Sequence, residues 1–151
     1  PVAVGGRVGG SADAVAALGR GVWHRTAPRA DLPRLAGDGR ARPALRAYVA
    51  MLPPNARALL YLEVADAAER QPIPGVAHPT VCWLHRDDCA PGMSTVLYDA
   101  LHGVPLPPGQ GRIWLAGHTP TVRRIRSHLL HQRGIDRRAL YVKGFWDRRG
   151  Q

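Results

Sequence analysis

The 151-residue chain carries a formal net charge of +10, and Lys143 is the single lysine among its 21 basic residues. Its 45% hydrophobic content supports one domain with a real core and excludes a chain disordered throughout, while 17 Gly and 14 Pro predict many turns. No stretch nears the roughly 18 to 20 apolar residues that span a bilayer, and no charged-then-apolar signal pattern opens the chain, so a cytoplasmic protein without a membrane span is expected.

The arginine excess favours anionic partners: nucleotide phosphates, nucleic acid or carboxylate-rich ligands. The competing reading is that Arg and Ala richness reflects genome composition alone. Cys82 and Cys89 are too few for a disulfide framework. His78, Cys82, His85 and Cys89 form a run of metal-ligand types, but in a strand Cys82 and His85 point to opposite faces, so no metal site is expected.

Residues 1–31 read as a Gly-rich segment. Pro1 to Val4 followed by Gly5-Gly6-Arg7-Val8-Gly9-Gly10-Ser11 imitates a strand with a phosphate loop, and Ser11 would cap a short helix to Leu18. A Walker loop needs Lys where Ser11 stands, and no Gly-x-Gly-x-x-Gly register passes through Arg7 and Val8. Leu32 to Gly37 is expected to be a strand, weakened by Pro33, that turns at Asp38-Gly39-Arg40.

Pro43 then suits the first position of a helix, with Leu45, Tyr48, Val49 and Leu52 on one apolar face and Pro53-Pro54-Asn55 as the stop. Ala58 to Val64 is almost continuously apolar, the pattern of a parallel strand covered on both faces. Asp66 to Pro79 reads as a polar loop, and Thr80 to His85 as a third strand. Ser94 would cap a helix from Thr95 to Leu101, and Pro105 to Gly109 returns the chain to the sheet. Ile113 to Ala116 is the fourth strand. Thr119 as cap and Pro120 as first residue open a helix whose apolar face is Val122, Ile125 and Leu129. Leu140 to Trp146 is the fifth strand. The alternation predicts an α/β fold, a five-stranded parallel sheet with helices on both faces, with ligands at the carboxyl ends of the strands.

Seven segments carry a family resemblance: Leu35-Ala36-Gly37-Asp38, Arg42-Pro43-Ala44-Leu45, Leu52 to Ala58, Leu62-Glu63-Val64-Ala65-Asp66, Val81 to Arg86, Trp114-Leu115-Ala116-Gly117 and Gly144-Phe145-Trp146. In order and spacing they resemble the C-terminal, NAD(P)H-binding half of siderophore-interacting proteins, the FAD-dependent ferric-siderophore reductases related to ferredoxin reductases. The resemblance covers about Ala30 to Gly150, so residues 32–151 are expected to form a NAD(P)H-binding-like domain. It implies NADPH or NADH as cofactor and a ferric siderophore as partner. FAD would be held by an N-terminal barrel, which 31 residues cannot build. The chain is then either one domain of a longer protein or a shortened, non-catalytic relative that binds a nucleotide or a partner.

By the same resemblance, Gly37, Asp38, Gly39 and Arg40 form the turn over the nicotinamide and pyrophosphate, His85 and Arg86 meet a 2′-phosphate, and Gly117 precedes the last helix. His118 and Trp146 are the candidates beside the reacting ring. Four positions depart from the family wording. Gly39-Arg40 stands where Glu-Thr is usual, His118 where an acid closes the fourth strand, and Phe145 where Tyr is common.

Each role has a plainer counterpart. The glycine turn serves any strand-to-helix junction, Arg86 has Asp87 and Asp88 as neighbours, His118 would cap a helix, and Trp146 would fill the core. A basic nucleic-acid domain would instead use Arg123, Arg124, Arg126, Arg133, Arg137 and Arg138 on phosphates, though no nucleic-acid motif accompanies them. A serine hydrolase is disfavoured, because Gly92-Met93-Ser94 lacks the second glycine of a nucleophile elbow.

Overall fold

The computed structural model describes residues 33–54, 56–74, 78–104 and 112–150. The strand expected at Pro1 to Val4, the helix after Ser11 and the Pro105 to Gly109 return lie outside them. Among the described residues, five strands and three helices follow in the order β1 (Arg34–Asp38), α1 (Arg42–Ala50), β2 (Arg57–Val64), β3 (His78–His85), α2 (Val96–Gly103), β4 (Ile113–His118), α3 (Thr119–His131) and β5 (Leu140–Trp146). The sheet order is β3-β2-β1-β4-β5, and every neighbouring pair is parallel. The α/β fold read from the sequence is the fold observed.

The two-residue period of the strands sorts the core into two faces. Leu35, Leu60, Leu62, Val64 and Trp114 lie under α1, which contributes Leu45, Tyr48 and Val49. Ala36, Leu84 and Leu115 face the other way, against Leu97 and Leu101 of α2 and Val122, Ile125 and Leu129 of α3. Each of these larger side chains, nearly or wholly buried, contributes about 1.5 to 3 kcal/mol by leaving water. β1, at the centre, is buried along its whole length. Among the described residues, no helix is long and apolar enough to cross a membrane.

Several boundaries differ from expectation for local reasons. Leu32 lies outside the described residues, and β1 is described from Arg34, since Pro33 has no N–H for the ladder, although its carbonyl accepts the N–H of Leu59 at 3.0 Å. β4 continues past Ala116 through Gly117 to His118, where Gly117 at φ 140° and a register irregularity against β5 extend the strand. The cap of α3 moves back accordingly: His118 is the cap residue and Thr119 the first helical one. At α2 the cap residue is Thr95 and the helix runs from Val96 to Gly103, not from Thr95 to Leu101, although the Ser94 Oγ just before it accepts the Val96 N–H at 3.2 Å. The loop between β2 and β3 is less polar than its sequence, since it holds a 3₁₀ turn at Ala67–Glu69 and sends Ile73 fully into the core, and β3 starts at His78.

Candidate functional site

The chain runs outward from β1 to β3 and then crosses back over β1 to β4, so the sheet's topological switch point lies between the carboxyl ends of β1 and β4. Asp38 ends β1 there. Its Oδ1 accepts the N–H groups of Arg40 and Ala41 at 3.0 and 3.1 Å, which caps the 3₁₀ turn Gly39–Ala41 leading into α1. Its Oδ2 accepts the His118 N–H at 2.7 Å and the Trp146 indole N–H at 2.9 Å. One carboxylate therefore ties together the ends of β1, β4 and β5 and the start of α1.

Two glycines make this packing possible. A Cβ on Gly117 would overlap the Asp38 carboxylate, and φ there is one that side-chain-bearing residues rarely adopt. A Cβ on Gly37 would lie 2.7 Å from the Ala116 carbonyl oxygen and from the Ala41 Cβ. The space beside Gly37 is thus filled by protein. Gly39 is different: a Cβ there would meet nothing closer than 3.8 Å.

His118 is 7% exposed. Its ring lies 4.6 Å from the Trp146 ring, its Nδ1 is 2.8 Å from the Thr121 hydroxyl, and a Cβ on Gly92 would press on its Nε2 at 2.9 Å. Trp146 in turn carries the Arg40 guanidinium over its ring at 4.2 Å, a cation–π contact. Thr121→Val, which removes the hydroxyl and keeps the shape, is expected to cost about 1 kcal/mol in thermal or urea unfolding by leaving His118 Nδ1 without its partner. An unchanged stability would show that the contact does not hold the ring.

In front of this cluster opens a cleft of about 260 Å³ lined by Asp38, Gly39, Arg40, Arg42, Glu63, Glu69, Arg86, Pro91 and Trp146. Five sequence-derived candidates, Asp38, Gly39, Arg40, Arg86 and Trp146, meet there. Gly37 and Gly117 sit behind the wall as packing positions, and His118 sits beneath Trp146, outside the lining. His85 is turned to other work, its Nε2 accepting from Arg70 Nε at 3.0 Å, with Arg70 Nη2 at 2.9 Å.

Arg42, Glu63 and Glu69 line the cleft beyond the residues that the sequence singles out. Glu63 had a signal: it is the single charged side chain within the apolar run Ala58 to Val64. It stands opposite Asp38 in the register of β1 and β2 and is 5% exposed. Burial first, and the neighbouring Asp38 charge second, push its carboxyl up to about 7, against the lowering effects of Arg86 and of the Leu97 backbone N–H. Arg42 follows, and Glu69 closes, a 3₁₀ turn whose path the sequence does not specify.

The sequence model of siderophore-interacting proteins matches residues 30–149, nearly all of the described chain. The chain belongs to the siderophore-interacting protein family. Among its relatives are the ferric vibriobactin reductase ViuB of Vibrio cholerae, 30% identical over 122 residues, covering 79% of this chain and 44% of that protein, and an uncharacterized protein of Mycobacterium tuberculosis, 30% identical over 143 residues, covering 89% and 50%. Among solved structures, a siderophore utilization protein from T. fusca superposes with a TM-score of 0.72 at 35% identity, over 82% of this chain and 47% of that one. SipS of Aeromonas hydrophila, at 24% identity and a TM-score of 0.65, covers 78% and 46% and shares the fold. The chain spans about half the length of the curated relatives it matches. Within the siderophore-interacting protein family, then, this member carries Gly39-Arg40 on the cleft itself, His118 packed under Trp146, and Phe145 40% exposed on the edge strand.

Proposed function

We propose that this domain binds a nicotinamide dinucleotide, NADPH or NADH, in the cleft beside the switch point and serves as the nucleotide half of a ferric-siderophore reductase whose FAD is carried by a separate barrel domain. The observation that carries the reading is the cleft's composition and place. Three guanidiniums, Arg40, Arg42 and Arg86, converge on an open glycine turn at the carboxyl ends of parallel strands. The residues fit an anionic ligand: Arg42 Nε is buried with no hydrogen-bond partner among the described residues, a donor that a phosphate oxygen would satisfy. The name of the Vibrio relative, a ferric vibriobactin reductase, supports the same reaction class.

When bound, a reduced nicotinamide supplies a hydride for the flavin. The chain's own part is binding and orientation. Arg40, held over Trp146, and Arg42, at the start of α1, offer charge-assisted hydrogen bonds to the pyrophosphate. Arg86, after β3, stands where the family resemblance expects a 2′-phosphate. Asp38 fixes the turn that carries Arg40 and the indole beneath it.

The basic nucleic-acid reading is weaker because arginines it needs are engaged in packing. The Arg124 guanidinium lies 3.8 Å over the Tyr98 ring, and Arg133 donates to the carbonyls of His102 and Val104 at 2.9 Å each. Thermal unfolding with added NADPH is the direct test. At a hundred times its dissociation constant, a ligand confined to the folded state stabilises by about 2.7 kcal/mol, which raises Tm by several degrees. No shift with either nucleotide, together with tight and steeply salt-dependent duplex binding, would overturn the reading in favour of nucleic acid.

A further inference from the structure

Arg40 and Trp146 line the cleft together, and each occupies the other: the guanidinium carbon lies 4.2 Å over the indole ring. Asp38 builds this pair from both ends. Its Oδ1 accepts the backbone N–H of Arg40 and its Oδ2 the indole N–H, so the turn and the ring are fixed relative to each other, while the Arg40 side chain itself is exposed. The indole's other ring neighbour, His118, is buried and stands outside the cleft lining, so the face under Arg40 is the one the cleft offers to a ligand. A planar group that stacks on Trp146 has to take that face from the guanidinium.

Room for a phosphate lies beside the pair, on the same turn. Gly39 is open, with Arg42 Nη2 the nearest atom to a Cβ placed there, at 3.8 Å, and Arg42 Nε is buried without a partner among the described residues. The ring is what holds the Arg40 guanidinium. An exposed cation–π contact is weaker than a charge-assisted hydrogen bond to a phosphate oxygen, so a phosphate seated by Gly39 and Arg42 draws the neighbouring Arg40 off the indole.

We infer that Arg40 is a latch on Trp146 that the ligand's own phosphates open: a pyrophosphate draws the guanidinium away and uncovers the indole for the planar ring joined to it. The inference rests on the nucleotide reading of the cleft. It couples the two halves of one ligand. A ring without phosphates meets a covered indole, whereas a dinucleotide clears the place of its own ring, so Arg40 selects whole dinucleotides over ring fragments. Arg40 thus acts against a ring fragment and in favour of a phosphate. A residue that only shapes the cleft, or only binds phosphate, does not have both signs.

That difference in sign is what the experiment reads. Dissociation constants are to be measured for reduced nicotinamide riboside, which has the ring and no phosphate, and for NADH, which carries the pyrophosphate, with the wild type and with Arg40→Ala. The riboside is expected to bind the variant about two- to fivefold more tightly, as the loss of an exposed cation–π contact allows, and NADH at least about fivefold more weakly. Arg40→Ala is expected to fold, since the side chain is exposed and the backbone N–H keeps its bond to Asp38. Inorganic pyrophosphate gives a second readout. In the wild type it is expected to raise acrylamide quenching of Trp146, taken as the difference from Trp146→Phe, about twofold, to the level that Arg40→Ala shows without it. A riboside affinity unchanged or lowered in Arg40→Ala, or quenching that pyrophosphate leaves unmoved while NADH binds, would overturn the latch and leave the nucleotide reading standing. Failure of the wild type to bind either NADH or NADPH would overturn the nucleotide reading and the latch with it.

Discussion

Asp38→Ala is expected to lower the stability of the domain by about 3 to 5 kcal/mol, a large share of the 5 to 15 kcal/mol typical of a domain. The substitution leaves four N–H donors without their acceptor: those of Arg40, Ala41, His118 and the Trp146 indole. A buried donor left unpaired costs about 1 to 3 kcal/mol, and the total falls short of the sum because water reaches the less buried ones. Asp38→Asn is expected to cost nearly as much, since its amide group turns N–H bonds toward N–H bonds. Denaturant unfolding checks both variants, and a loss below about 1 kcal/mol for Asp38→Ala would show that the four contacts are not what holds the strand ends together. A second consequence is local: removing the Asp38 charge takes away one of the two causes that raise Glu63, so that carboxyl moves back toward the ordinary range.

The legible parts of this fold are those in which local pattern and tertiary demand agree. Leu140–Trp146 is a strand with the bounds its sequence implies, and the face Leu45, Tyr48 and Val49 packs where its helical spacing puts it. Legibility fails at Gly117 and His118. Read locally, Gly117 ends a strand and Thr119 begins a helix, but Asp38, eighty residues earlier, captures the His118 N–H and draws β4 two residues further. Ile73 is hidden for the same reason, because a lone apolar residue among prolines acquires meaning only when a core lies beneath it.

The site divides along the same line. Asp38, Gly39, Arg40 and Trp146 are legible because a glycine turn after a buried strand and an aromatic closing the last one fall at strand ends, where the fold gathers them. The resemblance pairs His85 with Arg86, yet adjacent residues at a strand end leave in different directions, and Arg70 claims the imidazole. Glu63 was hidden inside an otherwise apolar strand. Its importance comes from the register that sets it opposite Asp38, a pairing fixed by the parallel ladder and not by either residue's surroundings in sequence.

Arg86→Ala is expected to weaken NADPH by about 10- to 150-fold, the loss of one charge-assisted contact worth about 1.5 to 3 kcal/mol, and to weaken NADH much less. The argument has two steps. Arg86 follows β3, lines the cleft and is placed by its backbone bond to Val64, so it addresses the end of the cleft away from Trp146 and the switch point. A nucleotide with its nicotinamide toward Trp146 then brings its adenosine ribose to Arg86, and the two cofactors differ only in the phosphate on that ribose. Equal loss for NADPH and NADH in the alanine variant would reject the 2′-phosphate assignment and move Arg86 to the pyrophosphate, beside Arg40 and Arg42.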